Sequence, residues 1–224
     1  VGSVLRHHSR RKDIAGWVHA SELRNSCDLA LGAMLLGYRP PRQIDARLQR
    51  IFDNGNFMHL RWQNYFLSLP GRFTVTVGRS YYCWPVAGEP DLVVEHPDFG
   101  LVVVELKSMN SGRFGMLRVP QPDHAAQVQA YAALTGASGL QVWYENKDTQ
   151  EPRTFCQGCT PEVFEAPQRS YERAVERAAA LAEQVLAGRM PRPCGACEWD
   201  EWAAALPLDE ARLEALYRAK EGMS

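Results

Sequence analysis

No stretch of the 224 residues is apolar for long enough to cross a bilayer as a helix, so the chain is expected to be soluble and cytoplasmic. The opening VGSVLRHHSRRK has no apolar core and does not read as a secretory leader. Net charge is nearly absent: 25 Lys and Arg face 26 Asp and Glu, leaving −1. A bulk field that gathers polyanions is therefore excluded, and any polyanion site must be local. Arg6 to Lys12 and the segment with Arg113 and Arg118 are the candidates. No internal repeat or low-complexity tract is present, which excludes solenoids and fibrous chains. No segment dense in Arg and Asn reads as a base-reading helix, so nothing predicts sequence-specific recognition of nucleic acid.

What is present is ordinary globular composition, 46% apolar and 23% charged. Residues 21–36 read as a helix with Ser21 as N-cap and Gly37 at its end. Residues 44–67 keep a helical period through Leu48, Ile51, Phe52, Met58, Trp62 and Phe66, across an interior Gly55. FTVTV, PDLVVE and LVVVELK read as strands, the last two dense in Val and so buried. A loop with Gly and Arg, 108–121, leads to a helix over 123–135 closed by Gly136. LQVWYEN and PRTFC form a hairpin, and Thr160-Pro161 opens a long helix to about Ala187. A last helix lies near 208–221. This order predicts an α/β domain around a mixed sheet.

The hairpin carries the chemistry. If Glu95 pairs with Leu101 around HPDFG, the register carries Asp91 opposite Glu105. Lys107 lies two residues on, on the same face of the strand. Adjacent carboxylates repel unless a proton or cation lies between them, and hard oxygen ligands suit Mg²⁺ or Mn²⁺. A lysine beside them can hold a water or stabilise charge growing on a phosphate oxygen. The bland alternative is a surface hairpin with scattered charges, Glu95 being one. HAAQVQAY sets His124, Gln127 and Tyr131 on one face of a helix, and GNFMH sets Gly55 and His59 four apart. A glycine inside a helix costs about 1 kcal/mol relative to Ala, which close approach by another group would explain.

Gly55-x-x-x-His59, Pro90-Asp91, Glu105-Leu106-Lys107 and His124-x-x-Gln127-x-x-x-Tyr131, in that order, resemble the PD-(D/E)XK nuclease superfamily in its RecB-type branch, which includes phage exonucleases and CRISPR-adaptation nucleases. The resemblance covers about residues 20–155. It implies a restriction-endonuclease-like core, a central mixed sheet flanked by helices. It also implies a metal-dependent DNA nuclease with one or two ions. His59, Asp91, Glu105 and the backbone carbonyl of Leu106 would be ligands, and Lys107 the catalytic lysine. Gln127 and Tyr131 would shape the site and touch the DNA backbone. An imidazole ligand would make Mn²⁺ acceptable beside Mg²⁺. Arg113, Arg118 and His124 are the expected DNA contacts, the arginines on a mobile loop or, equally, a solvated connection. The branch favours an exonuclease in DNA recombination, repair or phage DNA processing; a ring-shaped oligomer would favour processive digestion. The rival readings are an inactive nucleic-acid-binding module and a metal-assisted hydrolase of a small phosphoester. No expected active-site residue is missing, which argues against the first.

Six cysteines remain. Without an export signal, metal or redox chemistry is favoured over a disulfide framework. Some RecB-type nucleases hold a [4Fe–4S] cluster on one early and three late cysteines. Cys27 matches the early position and Cys194-x-x-Cys197 two of the late ones, but EWDEWAAAL stands where a further Cys is expected. Cys156 or Cys159 would have to supply the fourth thiolate. The alternatives are Zn²⁺ on Cys156, Cys159, Cys194 and Cys197, and free thiols. Cys83, among Tyr81, Tyr82 and Trp84, reads as a packing residue. The expected organisation is a basic segment 1–19, a nuclease core 20–190 and a Cys-containing helical appendage 191–224.

Overall fold

The computed structural model describes residues 15–23, 27–39, 44–157, 161–196 and 200–222, with the side chains of 157 and 161–171 excepted. Arg6 to Lys12, Thr160, Cys159 and Cys197 lie outside them. The chain divides into two compact units. One comprises Val1–Pro41, Tyr82–Ala87 and Glu172–Ser224, the other Arg42–Tyr81 and Gly88–Tyr171.

In the first unit, β1 (Val18–His19) pairs in parallel with β4 (Val86–Gly88), which lies between β1 and the edge strand β3 (Tyr81–Cys83). Helix α1 spans Asp28–Leu35. It is shorter than the 21–36 expected, because Cys27, not Ser21, caps it: the Cys27 Sγ accepts from the Ala30 N–H at 3.4 Å. Ala20–Glu22 form a separate 3₁₀ turn. Cys83 is exposed, against the packing role expected.

The second unit is built on a five-stranded mixed sheet in the order β2 (Thr74–Thr76), β5 (Leu92–His96), β6 (Gly100–Met109), β7 (Gly139–Asn146), β8 (Pro152–Gln157). β5 and β6 are antiparallel, β6 and β7 parallel, β7 and β8 antiparallel. Helix α2 (Ala46–Leu67) covers one face, where Met58, Trp62 and Phe66 pack on Leu92, Val94, Val102, Val104 and Leu106. Helix α4 (Pro122–Thr135) packs on β6 and β7 and ends in a left-handed Gly136. The segment expected as a loop contains a short helix, α3 (Ser111–Met116), whose N-terminus is capped by the Asn110 side chain accepting from the Arg113 N–H at 3.0 Å. Among the described residues no helix is long and apolar enough to cross a membrane.

Two glycines behave oppositely. A Cβ on Gly88 would lie 2.5 Å from Tyr131 Cε1 and 3.0 Å from Leu134 Cδ1, so the strand needs glycine for α4 to approach. A Cβ on Gly55 would meet nothing within 4 Å among the described residues, so no neighbouring side chain or backbone there requires a glycine. Gly88→Ala should therefore destabilise the protein by about 1–3 kcal/mol. Gly55→Ala should stabilise it by about 0.5–1 kcal/mol. Denaturant midpoints of the two variants, moving in opposite directions, check both.

Candidate functional site

The anticipated register holds: Glu95 pairs with Leu101 and Leu92 with Val104. One step further, Pro90 falls opposite Leu106 and Asp91 opposite Glu105. Proline has no N–H, so Pro90 cannot donate to the Leu106 carbonyl. The Leu106 N–H donates to Asp91 Oδ2 at 2.8 Å. A residue's N–H and C=O point to the same side of a strand. The Leu106 carbonyl therefore faces Asp91's side too, past the last ladder pair. Gln63 Nε2 donates to the Asp91 carbonyl at 3.2 Å and ties this strand end to α2.

Strand alternation separates the two faces of β6. Val104 and Leu106 go to the apolar layer under α2. Glu105 and Lys107 go to the face of α4. Lys107 Nζ lies 2.6 Å from Glu105 Oε1 and donates to Gln127 Oε1 at 3.1 Å. Gln127 Nε2 donates to the Tyr131 hydroxyl at 3.1 Å. His59, on α2, reaches the same strand end, its Nδ1 3.0 Å from Asp91 Oδ1. The structure thus brings His59, Asp91, Glu105, Lys107, Gln127 and Tyr131 into one connected group.

The group's electrostatics follow from burial. Burial pushes Asp91 up, but His59, Lys107 and the Leu106 N–H outweigh it and hold the carboxyl below its usual range. Glu105 is 2% exposed; burial first and Asp91 second push it up to about 7, against the pull of Lys107. Burial works against the charge on Lys107, but Glu105 and Asp91 raise it above its usual value. His59 behaves alike, with Asp91 overcoming its burial. Burial, then Glu105, raises Tyr131 far up.

Glu105 Oε2 is buried with no hydrogen-bond partner. An orphaned carboxylate oxygen beside a second carboxylate is what a site short of one cation leaves behind. The donor set, imidazole plus two carboxylates and a carbonyl, fits Mg²⁺ or Mn²⁺. His59 is now paired with Asp91 and Glu105 with Lys107, so an ion would enter by loosening these pairs.

Tyr131 is 1% exposed, so it cannot touch a DNA backbone as expected; it holds Gln127, which holds Lys107. His124 bonds the Tyr144 hydroxyl through Nδ1 at 2.9 Å, and burial with Lys107 lowers it to about 4. At neutral pH it carries no charge to offer a phosphate. Arg113 and Arg118 are exposed, and Arg118 Nη1 donates to the Gly115 carbonyl at 2.8 Å. Cys156 is exposed on β8.

One positioning link escaped the sequence reading. Glu145, 5% exposed on β7, accepts from Arg61 and from Trp62 Nε1 at 2.7 Å. It anchors the helix that carries His59. The available signals were an acid inside the apolar run LQVWYEN and an arginine two residues after His59.

No family model matches the chain, and no curated protein does. Solved structures do. The crystal structure of SSO0001 superposes with a TM-score of 0.52 at 16% identity, over 91% of each chain. An alkaline exonuclease, LHK-Exo from Laribacter hongkongensis, gives 0.52 at 17% identity, over 77% of this chain and 93% of its own. Its complex with dAMP gives 0.51 at 15% identity with the same coverage. The chain therefore has a fold shared with an exonuclease, and the expected mixed sheet flanked by helices is the one observed.

The neutral state of His124 has a stability consequence. Below about pH 6.5 the unfolded chain binds a proton that the folded chain refuses until about pH 4, so this residue's contribution is lost as pH falls through that window. His124→Gln should flatten the loss of stability between pH 6.5 and 4.5, checked by denaturant midpoints at both values against the wild type.

Proposed function

We propose that this protein is a divalent-metal-dependent deoxyribonuclease, an exonuclease without sequence preference that acts on DNA in recombination, repair or phage DNA processing. The observation that carries the reading is the end of β6. There Asp91 binds the Leu106 N–H beside a buried Glu105 with one unpartnered oxygen, and Lys107 pairs with the other Glu105 oxygen. The fold shared with an alkaline exonuclease, one of whose structures contains dAMP, supports the substrate class.

His59, Asp91, Glu105 and the Leu106 carbonyl would hold Mg²⁺ or Mn²⁺. Bound there, the ion would supply Lewis acidity toward the phosphate and a lower pKa for a water. The protein's own part is orientation and charge. Lys107 stays protonated because two carboxylates face it, so it can hold a water in line with the phosphorus or meet charge growing on a phosphate oxygen. Gln127 and Tyr131 are positioning residues: the chain Tyr131–Gln127–Lys107 fixes where the ammonium points. Asp91 keeps its charge through His59 and the Leu106 N–H and gives the site a permanent anion. Glu105, raised to about 7, ionises fully only when a cation arrives, which couples its charge to occupancy. The Arg113 and Arg118 side chains, exposed around α3, would supply phosphate contacts outside the reacting centre.

Lys107→Ala and Asp91→Ala should each lower cleavage of end-labelled linear duplex DNA by at least about 10²-fold with Mg²⁺ or Mn²⁺, with the fold retained by circular dichroism. A covalently closed circle should resist the wild-type protein. Cutting of the circle overturns the exonuclease reading, and wild-type rates in either variant overturn the site. Replacing Arg113 and Arg118 together with Ala should weaken DNA binding and flatten its salt dependence, by up to about two in the log–log slope.

A further inference from the structure

The first unit holds a separate group of donor atoms. Among the described residues, Cys27 Sγ, Cys194 Sγ and a carboxylate oxygen of Asp200 all lie within 4.8 Å of one another. Two distant parts of the chain supply them. Cys27 caps α1, Cys194 precedes the turn at Gly195, and Asp200 begins helix α6 (Asp200–Ala204), the helix after the long α5 (Pro161–Leu186). Asp200 is set in place by the chain it faces: the backbone N–H groups of Cys194, at 3.0 Å, and of Gly195 donate to its two oxygens. The Cys27 thiol stands 3.8 Å from Asp200 Oδ1 and the Cys194 thiol 3.4 Å from Oδ2.

Those separations discriminate between metal groups. Around one tetrahedral Zn²⁺, with Zn–S about 2.3 Å and Zn–O about 2.1 Å, a sulfur and an oxygen ligand stand about 3.6 Å apart and two sulfurs about 3.8 Å. The observed sulfur–oxygen separations, 3.8 and 3.4 Å, are close to those around a single ion. A four-iron cube sets its terminal ligands apart by the iron–iron edge plus two outward iron–sulfur bonds, so its ligands stand much wider than these. The chemistry agrees, since two thiolates with a carboxylate are a donor set Zn²⁺ accepts.

We propose that Cys27, Cys194 and Asp200 bind one zinc-type divalent ion, with Asp200 as ligand where the cluster-bearing pattern has cysteine. The ion is a structural staple, joining the N-terminus of α1 to the segment that enters α6. On binding, the two thiols lose their protons to solvent and the carboxylate exchanges its hydrogen bonds for the metal. Because it binds the folded form, the ion raises thermal stability. The site is independent of the proposed nuclease centre.

The test uses the full chain with Asp91→Ala, which weakens the other centre. Protein purified without added metal is analysed for zinc, iron and acid-labile sulfide, then stripped with chelator and titrated with Co²⁺. About one zinc per chain, no sulfide, and a thiolate-to-cobalt charge-transfer band saturating at one equivalent and lost on adding Zn²⁺ are expected. Asp200→Asn keeps an oxygen acceptor for one of the two backbone N–H groups and should weaken Co²⁺ binding by about 10–100-fold or more. Cys27→Ser should lose most of the charge-transfer intensity, and stripping should lower the melting temperature only where Asp200 is intact. A brown protein with iron and sulfide overturns the proposal. So does a Co²⁺ titration unchanged by Asp200→Asn, or the absence of any charge-transfer band.

Discussion

Much of the second unit hangs on one hydrogen bond, from the Leu106 N–H to the Asp91 carboxylate. A buried N–H must find an acceptor, and the Leu106 N–H takes the Asp91 carboxylate. Pro90, opposite in register, has no N–H to give the Leu106 carbonyl. In accepting that bond the carboxylate fixes its own orientation, turns its other oxygen toward His59, and leaves the Leu106 carbonyl on the same side as its partner acid. A defect in the sheet thus becomes a cluster of oxygen donors.

The cost of this arrangement is that two carboxylates are buried together. The protein meets it asymmetrically. Asp91 receives an imidazole and a backbone N–H and stays anionic, whereas Glu105 receives only Lys107 and is pushed up to about 7. A partly satisfied buried network is expensive, and here the unsatisfied member is one oxygen, Glu105 Oε2. Lys107 stands where that deficit is felt, held from the other side by Gln127 and, behind it, Tyr131. Gly88 lets Tyr131 come close enough to do this, since any side chain there would strike the ring.

The strand's alternation makes such a site compatible with a stable sheet. On the α2 face the same strand offers Val102, Val104 and Leu106 to Met58, Trp62, Phe66 and Trp143, an apolar layer that needs no polar partners. The one acid on that side of β7, Glu145, is satisfied by Arg61 and Trp62, and the contact fixes the helix that delivers His59. Stability and chemistry are thus placed on opposite faces of β6. Cooperation between them passes through α2, which is core on one side and ligand-bearing at its edge.

The sequence by itself determined the strands of the five-stranded sheet, the register of β5 on β6, and the four short motifs in order, because β periodicity and turn chemistry are local and a register slip would expose the Val runs. From these, Asp91, Glu105 and Lys107 could be gathered without coordinates. His59, Gln127 and Tyr131 could be placed only on helix faces. What only the tertiary structure decided was long-range. It set Tyr131 in the interior as a positioning group, tied α2 down through Glu145, and turned the expected loop into α3. It also put Asp200, which no motif singled out, between two cysteines more than 160 residues apart in the chain. Local patterns specify which face a side chain occupies. Which faces meet depends on packing the whole sheet and its helices, where burial and the requirement to satisfy every polar atom act on residues far apart in sequence.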